Sequence, residues 1–496
     1  MISADLSRLA EWMGGRLIGD GAALLSGSAV VDSRQVAPGD VFFALPGEKV
    51  DGHDYVPAAL AAGAAAAVVR CCDDDWIASL TPGQGLIVVK DGLQALQDCA
   101  RAYRSQLTIP VIAVTGSTGK TSTKDLLAAA IGARFDVMKS PGNFNNEIGL
   151  PLTLSGVQER HEALVVEMGM RGEGQITALC DIARPVVGVL TNIGPVHMEL
   201  LGSIEAISRA KGELLRSLPA QGTAIVNGED HRAVAESLRC RCPVVYVATS
   251  AEALAEGLRR GGVNAEATVQ AIWATKVTSR GEQGSCVTGA IGSFIPGLAA
   301  GKRESAFDFV LPLPGRHQVA NALLAMAAAR AIGVATDTAA GGLAQARLSS
   351  LRWETRSLDG AMTLINDAYN ANPAAMTAAL TTAAELARSN RLVAVLGDMY
   401  ELGAEAPEHH RQVGRRAAQL AAGLLVAVGE LGAYIAEGAL AAGMARERIH
   451  RFADAETAAA ALPGLVKEKD LILIKASRGM RLERVAQALA EALTNP

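Results

Sequence analysis

Short apolar runs alternate with alanine-rich stretches of helical length through most of the chain. The runs at 111–115, 164–167, 186–191, 392–396, 424–428 and 471–474 are almost continuously apolar rather than alternating. Strands of that kind are buried on both faces, which is the habit of parallel sheets covered by helices. The pattern predicts an α/β protein and divides into three blocks. Residues 1–88 hold Val30-Val31-Asp32-Ser33-Arg34, the run 39–47 and an alanine-rich helix at 58–67 leading into Val68-Val69, which together read as a small α/β module. Residues 89–338 start with a helix around 93–103. A strand at 111–115 then feeds a glycine-rich loop, and further strands lie at 164–167 and 186–191. Within this block the stretch 265–309 is β-rich and irregular, carries no chemical motif, and runs on to a helix expected after Asn321. Residues 339–496 return to strand–helix alternation. Asp367, Asp398, Gly429 and Lys475 directly follow its strands, where open parallel sheets hold their ligands.

Length and charge narrow the function classes. At roughly 150 residues per domain, 496 residues fit three domains. Apolar residues at 50% and charged residues at 20% fit a folded chain. The balance of 46 Lys+Arg against 51 Asp+Glu gives −5, and aromatics are 4%. Neither a positive field nor a stacking platform is available, so nucleic acid is not an expected partner. Seven cysteines with no pair of CxxC motifs predict reduced thiols rather than a zinc ribbon. Met1-Ile2-Ser3-Ala4-Asp5-Leu6 lacks the basic-then-apolar order of a signal peptide, and no run of about 18 apolar residues occurs. A cytoplasmic protein without membrane insertion is expected.

The strongest local signal is Thr115-Gly116-Ser117-Thr118-Gly119-Lys120-Thr121-Ser122, between an apolar strand and a helix starting near Lys120. Glycines let backbone N–H groups wrap phosphate oxygens, and the helix N-terminus adds a favourable dipole. Lys120 is placed to reach the β/γ-phosphates and Thr121 to ligate Mg²⁺. Val114 stands where the full motif has its first glycine, so the match is to a shortened form. No Asn-Lys-x-Asp run is present to read guanine, which favours adenine. Glu167 ends an apolar strand, where a carboxylate either holds Mg²⁺ opposite the loop or is simply solvated. His197 follows the strand 186–191, and Lys211 lies in a helical stretch at 204–218. Taken singly, such a histidine is more often structural and such a lysine solvated. Their order after a phosphate loop and a strand-end glutamate changes that balance.

In order, Thr-Gly-Ser-x-Gly-Lys-Thr at 115–121, Glu167, His197, Lys211, Gly315-Arg316-His317-Gln318-Val319-Ala320-Asn321, Arg352 and Asp367 resemble the Mur ligase superfamily. These are the ATP-dependent amide-forming enzymes of peptidoglycan precursor synthesis, with folylpolyglutamate synthetase relatives. The resemblance covers nearly the whole chain. Gln318 departs from the asparagine usual after the histidine. Four stretches, 31–34, 141–151, 366–373 and 396–403, are similar to the branch that joins D-Ala-D-Ala to UDP-MurNAc-tripeptide. The Asp-Asn-Pro-Arg signature of the diamino-acid branch is absent, and Tyr369-Asn370-Ala371-Asn372-Pro373 stands in its place.

The resemblance implies a three-domain architecture: a UDP-sugar-binding N-terminal α/β domain, a central P-loop ATPase-like domain, and a Rossmann-like C-terminal domain binding the dipeptide and part of ATP. It implies an acyl-phosphate mechanism. Lys120 would neutralise the transferring phosphoryl group, and Thr121 and Glu167 would hold one Mg²⁺. His197 would hold a second, ordered by Lys211 as a CO₂-derived carbamate, because a bare ammonium would repel the metal. Gly116, Ser117, Thr118, Gly119 and Ser122 would line the ATP phosphates, with Asn321, Arg352 and Asp367 on the base, phosphates and ribose side. Asn143 and Asn146 would orient the tripeptide, Asn370 and Asn372 the dipeptide, and Ser33, Arg34 and Gly47 the UDP end. A monomer is expected. Two other readings remain: another Mur-type or folylpolyglutamate ligase, which would use a different acceptor, and a non-catalytic ATP-binding protein, which should lack Glu167, His197 or Lys211.

Overall fold

The apolar runs pair into three separate sheets. The structure, a computed structural model, describes residues 4–47 and 49–493. The expectation drawn from Met1, Ile2 and Ser3 therefore lies outside the described residues. In the first sheet the strand order is Arg16–Gly19, Gly85–Val88, Ala66–Val69, Val41–Phe43, Ala29–Val30, parallel except for the first pair. The second sheet has nine strands. From one edge they run Val137–Lys139, Ala163–Glu167, Val111–Thr115, Val187–Leu190, Thr223–Asn227, Val244–Ala248, Val269–Ser279, Ser285–Ile295 and Ala300–Leu311. The third sheet runs Glu354–Leu358, Met362–Asn366, Leu471–Lys475, Leu392–Gly397, Leu424–Val428, Ile449–Phe452, with the first pair antiparallel.

The first two sheets are not independent bodies. One continuous buried cluster joins Leu6, Leu9, Phe43 and Ile87 to Leu96 and Cys99, and these to Val111, Leu164 and Leu190. The joint is the helix Gly92–Arg104, started by the Asp91 carboxylate accepting from the Gln94 N–H. Its one buried stripe, Ala95, Leu96, Cys99, Ala100 and Tyr103, lies in the cluster that both units share.

The stretch 265–309 resolves into the last three strands of the second sheet. Val269–Ser279 runs parallel to Val244–Ala248, and two antiparallel hairpins follow. Phe307, Phe309 and Leu311 alternate inward and join a second core with the helices Lys120–Gly132 and Arg316–Ala331. Its irregular reading in the sequence has a physical source: the first and last of these strands are exposed over half their length or more, and the register slips between Ala274 and Lys276 and between Ile291 and Gly292.

Two boundaries differ from expectation. The helix expected after Asn321 begins at Arg316, which places Asn321 in its second turn. The division expected at 338/339 cuts the helix Thr336–Leu343, whose Ala339, Ala340 and Leu343 belong to the middle core. That helix lies so close to the phosphate-loop helix that a Cβ at Gly342 would meet the Ala129 carbonyl at 2.2 Å. The passage into the third unit falls on residues 344–353. Among the described residues, no helix is long and apolar enough to cross a membrane.

Candidate active site

The phosphate loop sits where strand Val111–Thr115 turns into helix Lys120–Gly132, and glycine is required twice. Gly116 has φ 150° and a Cβ there would lie 1.9 Å from Thr191 Oγ1. Gly119 has φ 77° and faces Asn321, whose Oδ1 would lie 2.7 Å from an added Cβ. Asn321 therefore sits on the turn of the loop itself. Its amide donates to Gln318 Oε1 at 3.1 Å, so the residue that departs from the family pattern braces the one that follows it.

The loop is zippered to the strand end beside it. Thr118 N–H donates to Asn192 Oδ1 at 2.8 Å, Ser117 N–H donates to the Asn192 carbonyl at 2.9 Å, and Ser117 Oγ pairs with Gly194. The backbone amides of Ser117 and Thr118 are thus already engaged. The helix head at 119–122, which includes Ser122, carries the N–H groups that face outward from the loop.

Two amino groups converge on one oxygen. Lys120 Nζ donates to the Gly116 carbonyl at 2.6 Å and Lys211 Nζ donates to the same carbonyl at 3.1 Å. Lys211 is 1% exposed, brought there by the helix Ile204–Arg216. Burial, reinforced by the Lys120 charge, holds the Lys211 ammonium well below the usual lysine range. Burial also lowers Lys120, with Glu167 opposing.

Glu167 ends its strand as expected and faces the loop. Its Oε2 accepts from Thr121 Oγ1 at 2.8 Å and its Oε1 from Asn145 Nδ2 at 2.9 Å. Lys124 Nζ stands 3.7 Å from Oε2 and donates to the Ser140 and Gly142 carbonyls. The Lys124 ammonium is buried, and burial lowers its pKa while Glu167 opposes. One buried lysine therefore ties the carboxylate to the loop 140–146.

That loop turns a different asparagine towards the carboxylate than the two expected to orient the tripeptide. Asn145 faces Glu167, whereas Asn143 is exposed and Asn146 Oδ1 accepts from the Gly149 N–H at the head of a helix. The third-unit asparagines behave similarly. Asn372 caps the helix Pro373–Ala387 by accepting from the Ala375 N–H, and Asn370 accepts from the Ala371 N–H. In the first unit Ser33 and Arg34 share one helical turn, and the Arg34 fork is closed on Asp32 at 2.9 and 2.7 Å. Gly47 is an exposed loop residue whose N–H donates to the Val50 carbonyl.

The third unit reaches the phosphate loop through Arg352. Its Nη2 donates to Thr121 Oγ1 at 2.9 Å, and the guanidinium lies 4.1 Å from the Tyr369 ring centroid. The residues flanking it, Leu351 and Trp353, both have left-handed backbones at φ 61° and 51°. Strain of this sort at non-glycine residues persists where the surroundings impose it. Arg352 Nε and Trp353 Nε1 are buried without a hydrogen-bond partner, donors left over for a ligand. Asp367 is a brace: its Oδ2 accepts from Lys475 Nζ at 2.6 Å and its Oδ1 from the Trp353 N–H at 3.2 Å. His317 packs edge-on to Trp353, and burial pushes its pKa down to about 4, so it is neutral at physiological pH.

His197 closes the site from the other side, in a left-handed conformation at φ 56°. Its Nδ1 is bound to the Glu401 carboxylate of the third unit, which accepts, so Nδ1 carries a proton and Nε2 is left outside this contact. Among the described residues no three His, Cys, Asp or Glu side chains gather into a metal cage.

Sequence reasoning missed Lys124, Asn145, Asn192, Tyr369 and Glu401. The signal for Lys124 was present, four residues after Lys120 on the same helix face. The others come from loops or from across the cleft.

This geometry agrees with what the chain is similar to. Residues 114–329 match the Mur ligase middle domain, 351–478 the Mur ligase glutamate ligase domain, and 29–104 the Mur ligase family catalytic domain. The interval 330–350 between matches holds the helix Thr336–Leu343 and the passage into the third unit. The UDP-N-acetylmuramoyl-tripeptide–D-alanyl-D-alanine ligase of Bacillus subtilis is 35% identical over 493 residues, 99% of each chain. The crystal structure of MurF from Acinetobacter baumannii superposes with a TM-score of 0.78 at 26% identity, covering 99% of both chains. MurF of Thermotoga maritima in complex with ADP gives 0.73 at 27% identity, covering 94% of this chain and 97% of that one. With three sheets in this order, a phosphate loop bridged by an arginine from the third, and likeness along its whole length, the chain belongs to the Mur ligase family.

Proposed function

We propose that this chain is an ATP-dependent ligase joining D-Ala-D-Ala to UDP-MurNAc-tripeptide, giving the pentapeptide, ADP and phosphate. The observation that carries the chemistry is the pair of cations at the helix head: Lys120 on the Gly116 carbonyl and Arg352 on Thr121. Phosphoryl transfer to the tripeptide carboxylate and expulsion of phosphate by the dipeptide amine both develop negative charge at the γ-phosphate. Positioned cations are what such steps need.

The roles follow from the contacts. The α- to γ-phosphates lie along the head of Lys120–Gly132, and Lys120 leaves the Gly116 carbonyl for the transferring group. Arg352 supplies its spare Nε from across the cleft, so ATP bridges the second and third units and closure shields the acyl phosphate from water. Asn321 stands at Gly119 for the nucleotide, and Asn145 and the loop 140–146 present the tripeptide. Ser33, Arg34 and Gly47 remain the candidates for the UDP end. There Arg34 has to exchange Asp32 for a diphosphate.

Thr121 Oγ1 and Glu167 form a hard oxygen pair, and Mg²⁺ takes one or two such protein ligands beside substrate phosphates and water. Bound there, the ion would neutralise charge on the β- and γ-phosphates. His197 offers Nε2 for a second ion, and Lys211 bears the candidate carbamate. The neutral amine is the form that adds CO₂, and burial beside Lys120 favours it. As a carbamate, Lys211 would attract Lys120 instead of repelling it. Native mass spectrometry with and without bicarbonate reads this directly, and an unmodified Lys211 at saturating bicarbonate rejects it.

The substrates are nucleotide-linked precursors and ATP, which places the reaction in the cytoplasm. One chain holds every group named here, so the reading requires no second copy. The deciding experiment is ATP-dependent phosphate release with UDP-MurNAc-tripeptide while the amine acceptor is varied. Release confined to D-Ala-D-Ala is expected. Release with another amino acid instead would move the chain to a different Mur-type activity, and no release with any tripeptide would defeat the proposal.

A further inference from the structure

Glu401 belongs to the third unit, on the segment that follows strand Leu392–Gly397, yet its carboxylate is bound to His197 of the second. Both partners have left-handed backbones, at φ 56° for His197 and φ 63° for Glu401. Their side chains are 25% and 41% exposed. A partly exposed carboxylate–imidazole hydrogen bond adds little stability, whereas two non-glycine residues held in this conformation cost some. Fold stability alone does not account for the contact.

Glu401 is also held from behind. The Met399 N–H donates to His410 Nε2 at 2.9 Å, His410 Nδ1 donates to the Ala406 carbonyl at 2.6 Å, and the Tyr400 N–H donates to Ser477 Oγ at 2.9 Å. A buried histidine thus ties both ends of the segment 399–406, and Ser477, just beyond a second strand end, holds Tyr400 next to Glu401. On the other side, Gly403 approaches the backbone of Glu199, two residues beyond His197. The segment is a rigid finger reaching from one unit to the other. His197 itself follows the strand end whose Asn192 and Gly194 are zippered to Ser117 and Thr118.

A carboxylate on Nδ1 fixes the imidazole as the Nδ1–H tautomer, leaves the lone pair on Nε2 and stops the ring from turning. We propose that Glu401 is a positioning residue that makes His197 competent only when the third unit has closed on the second, so that closure and the readiness of His197 are one event. This deepens the proposed function and rests on it for the identity of the reaction. Seating of the third unit brings the carboxylate to Nδ1. When the units part, the ring regains both tautomers and its rotation.

The test uses the full chain, Glu401→Ala and Glu401→Gln. Glutamine keeps a carbonyl that accepts from Nδ1. In histidine-selectively ¹⁵N-labelled protein with ADP and Mg²⁺, His197 (assigned with His197→Gln) should show the Nδ1–H tautomer in the parent and in Glu401→Gln. In Glu401→Ala it should show tautomer exchange. Turnover should fall by about 10- to 100-fold in Glu401→Ala and recover largely in Glu401→Gln. The KM values for ATP and tripeptide should stay within roughly two-fold, the signature of an interaction not used in ground-state binding. The proposal is overturned if Glu401→Ala leaves the tautomer unchanged, if its turnover stays near the parent's, or if both variants lose activity together with thermal stability. The resonance measurement needs no turnover, so it judges Glu401 even if the parent proves to use a different acceptor.

Discussion

Replacing Lys211 by methionine should make the protein more stable while abolishing its activity. The Lys211 ammonium is 1% exposed and has one hydrogen bond, to a carbonyl it shares with Lys120. With both nitrogens on one oxygen, at 2.6 and 3.1 Å, the two charges stand about 5 Å apart, and at an effective dielectric near 20 they repel by about 3 kcal/mol. Lysine can escape only by giving up its proton, which also costs free energy. Methionine has neither penalty and nearly the same volume. Losing the Gly116 bond returns about 1 kcal/mol, so the net gain should be about 1–2 kcal/mol. That is a rise of roughly 1–3 °C in the melting temperature of the joined first and second units. The sign with pH is fixed. The folded-state pKa of Lys211 is lowered, so above it the unfolded chain binds more protons and the parent gains stability as pH rises towards the ordinary lysine range. The variant's advantage is therefore largest near neutral pH and disappears as pH approaches about 10.5. Differential scanning calorimetry in CO₂-free buffer, repeated across that range, measures both effects. A variant that melts at or below the parent at neutral pH would falsify the electrostatic account. Bicarbonate should stabilise the parent and leave the variant unchanged.

Three further outcomes are expected. Arg352→Lys keeps the charge but loses the stack on Tyr369 and the planar fork, so KM for ATP should rise by roughly ten-fold, read by steady-state kinetics. Asn145→Ala strips Glu167 of one charge-assisted bond and should lower kcat/KM about ten-fold or more, whereas Asn143→Ala, on an exposed position, should behave as the parent; equal effects would refute the assignment. Cys240 and Cys242 have sulfurs 3.0 Å apart, and the bond from Cys242 lowers Cys240 to about 6 while Cys242 is raised. Mass-resolved alkylation of Cys240 should titrate near that value, and in Cys242→Ser it should move upward; no movement would reject the coupling.

The parts of the protein legible from sequence were those with local signatures. Apolar runs at 111–115 and 164–167 could only be buried parallel strands, and Gly116 to Ser122 could only be a strand-to-helix phosphate turn. Asparagines at 143, 145 and 146 were not separable, because a loop has no period to say which side chain turns inward. Asn372 read only as a ligand contact, although asparagine before proline is equally a helix cap, and the structure shows that cap. The helix Thr336–Leu343 is alanine- and glycine-rich like its neighbours, so only its packing on Ala129 shows which unit it joins. Glu401 was invisible because its partner lies across a cleft, and no local pattern encodes a contact between units.

The core shared by the first two sheets sets a length. Leu6, Phe43 and Ile87 are continuous with Val111 and Leu190, so the first unit cannot slide against the phosphate loop without opening buried apolar surface. The pair forms a fixed caliper, and in the proposed closure the third unit is the jaw. If the donor is anchored at the first sheet as proposed, it has to span a constant distance to bring its carboxylate to Lys120. Peptides one residue shorter or longer would be refused by that distance alone, before the chemistry of any side chain is read.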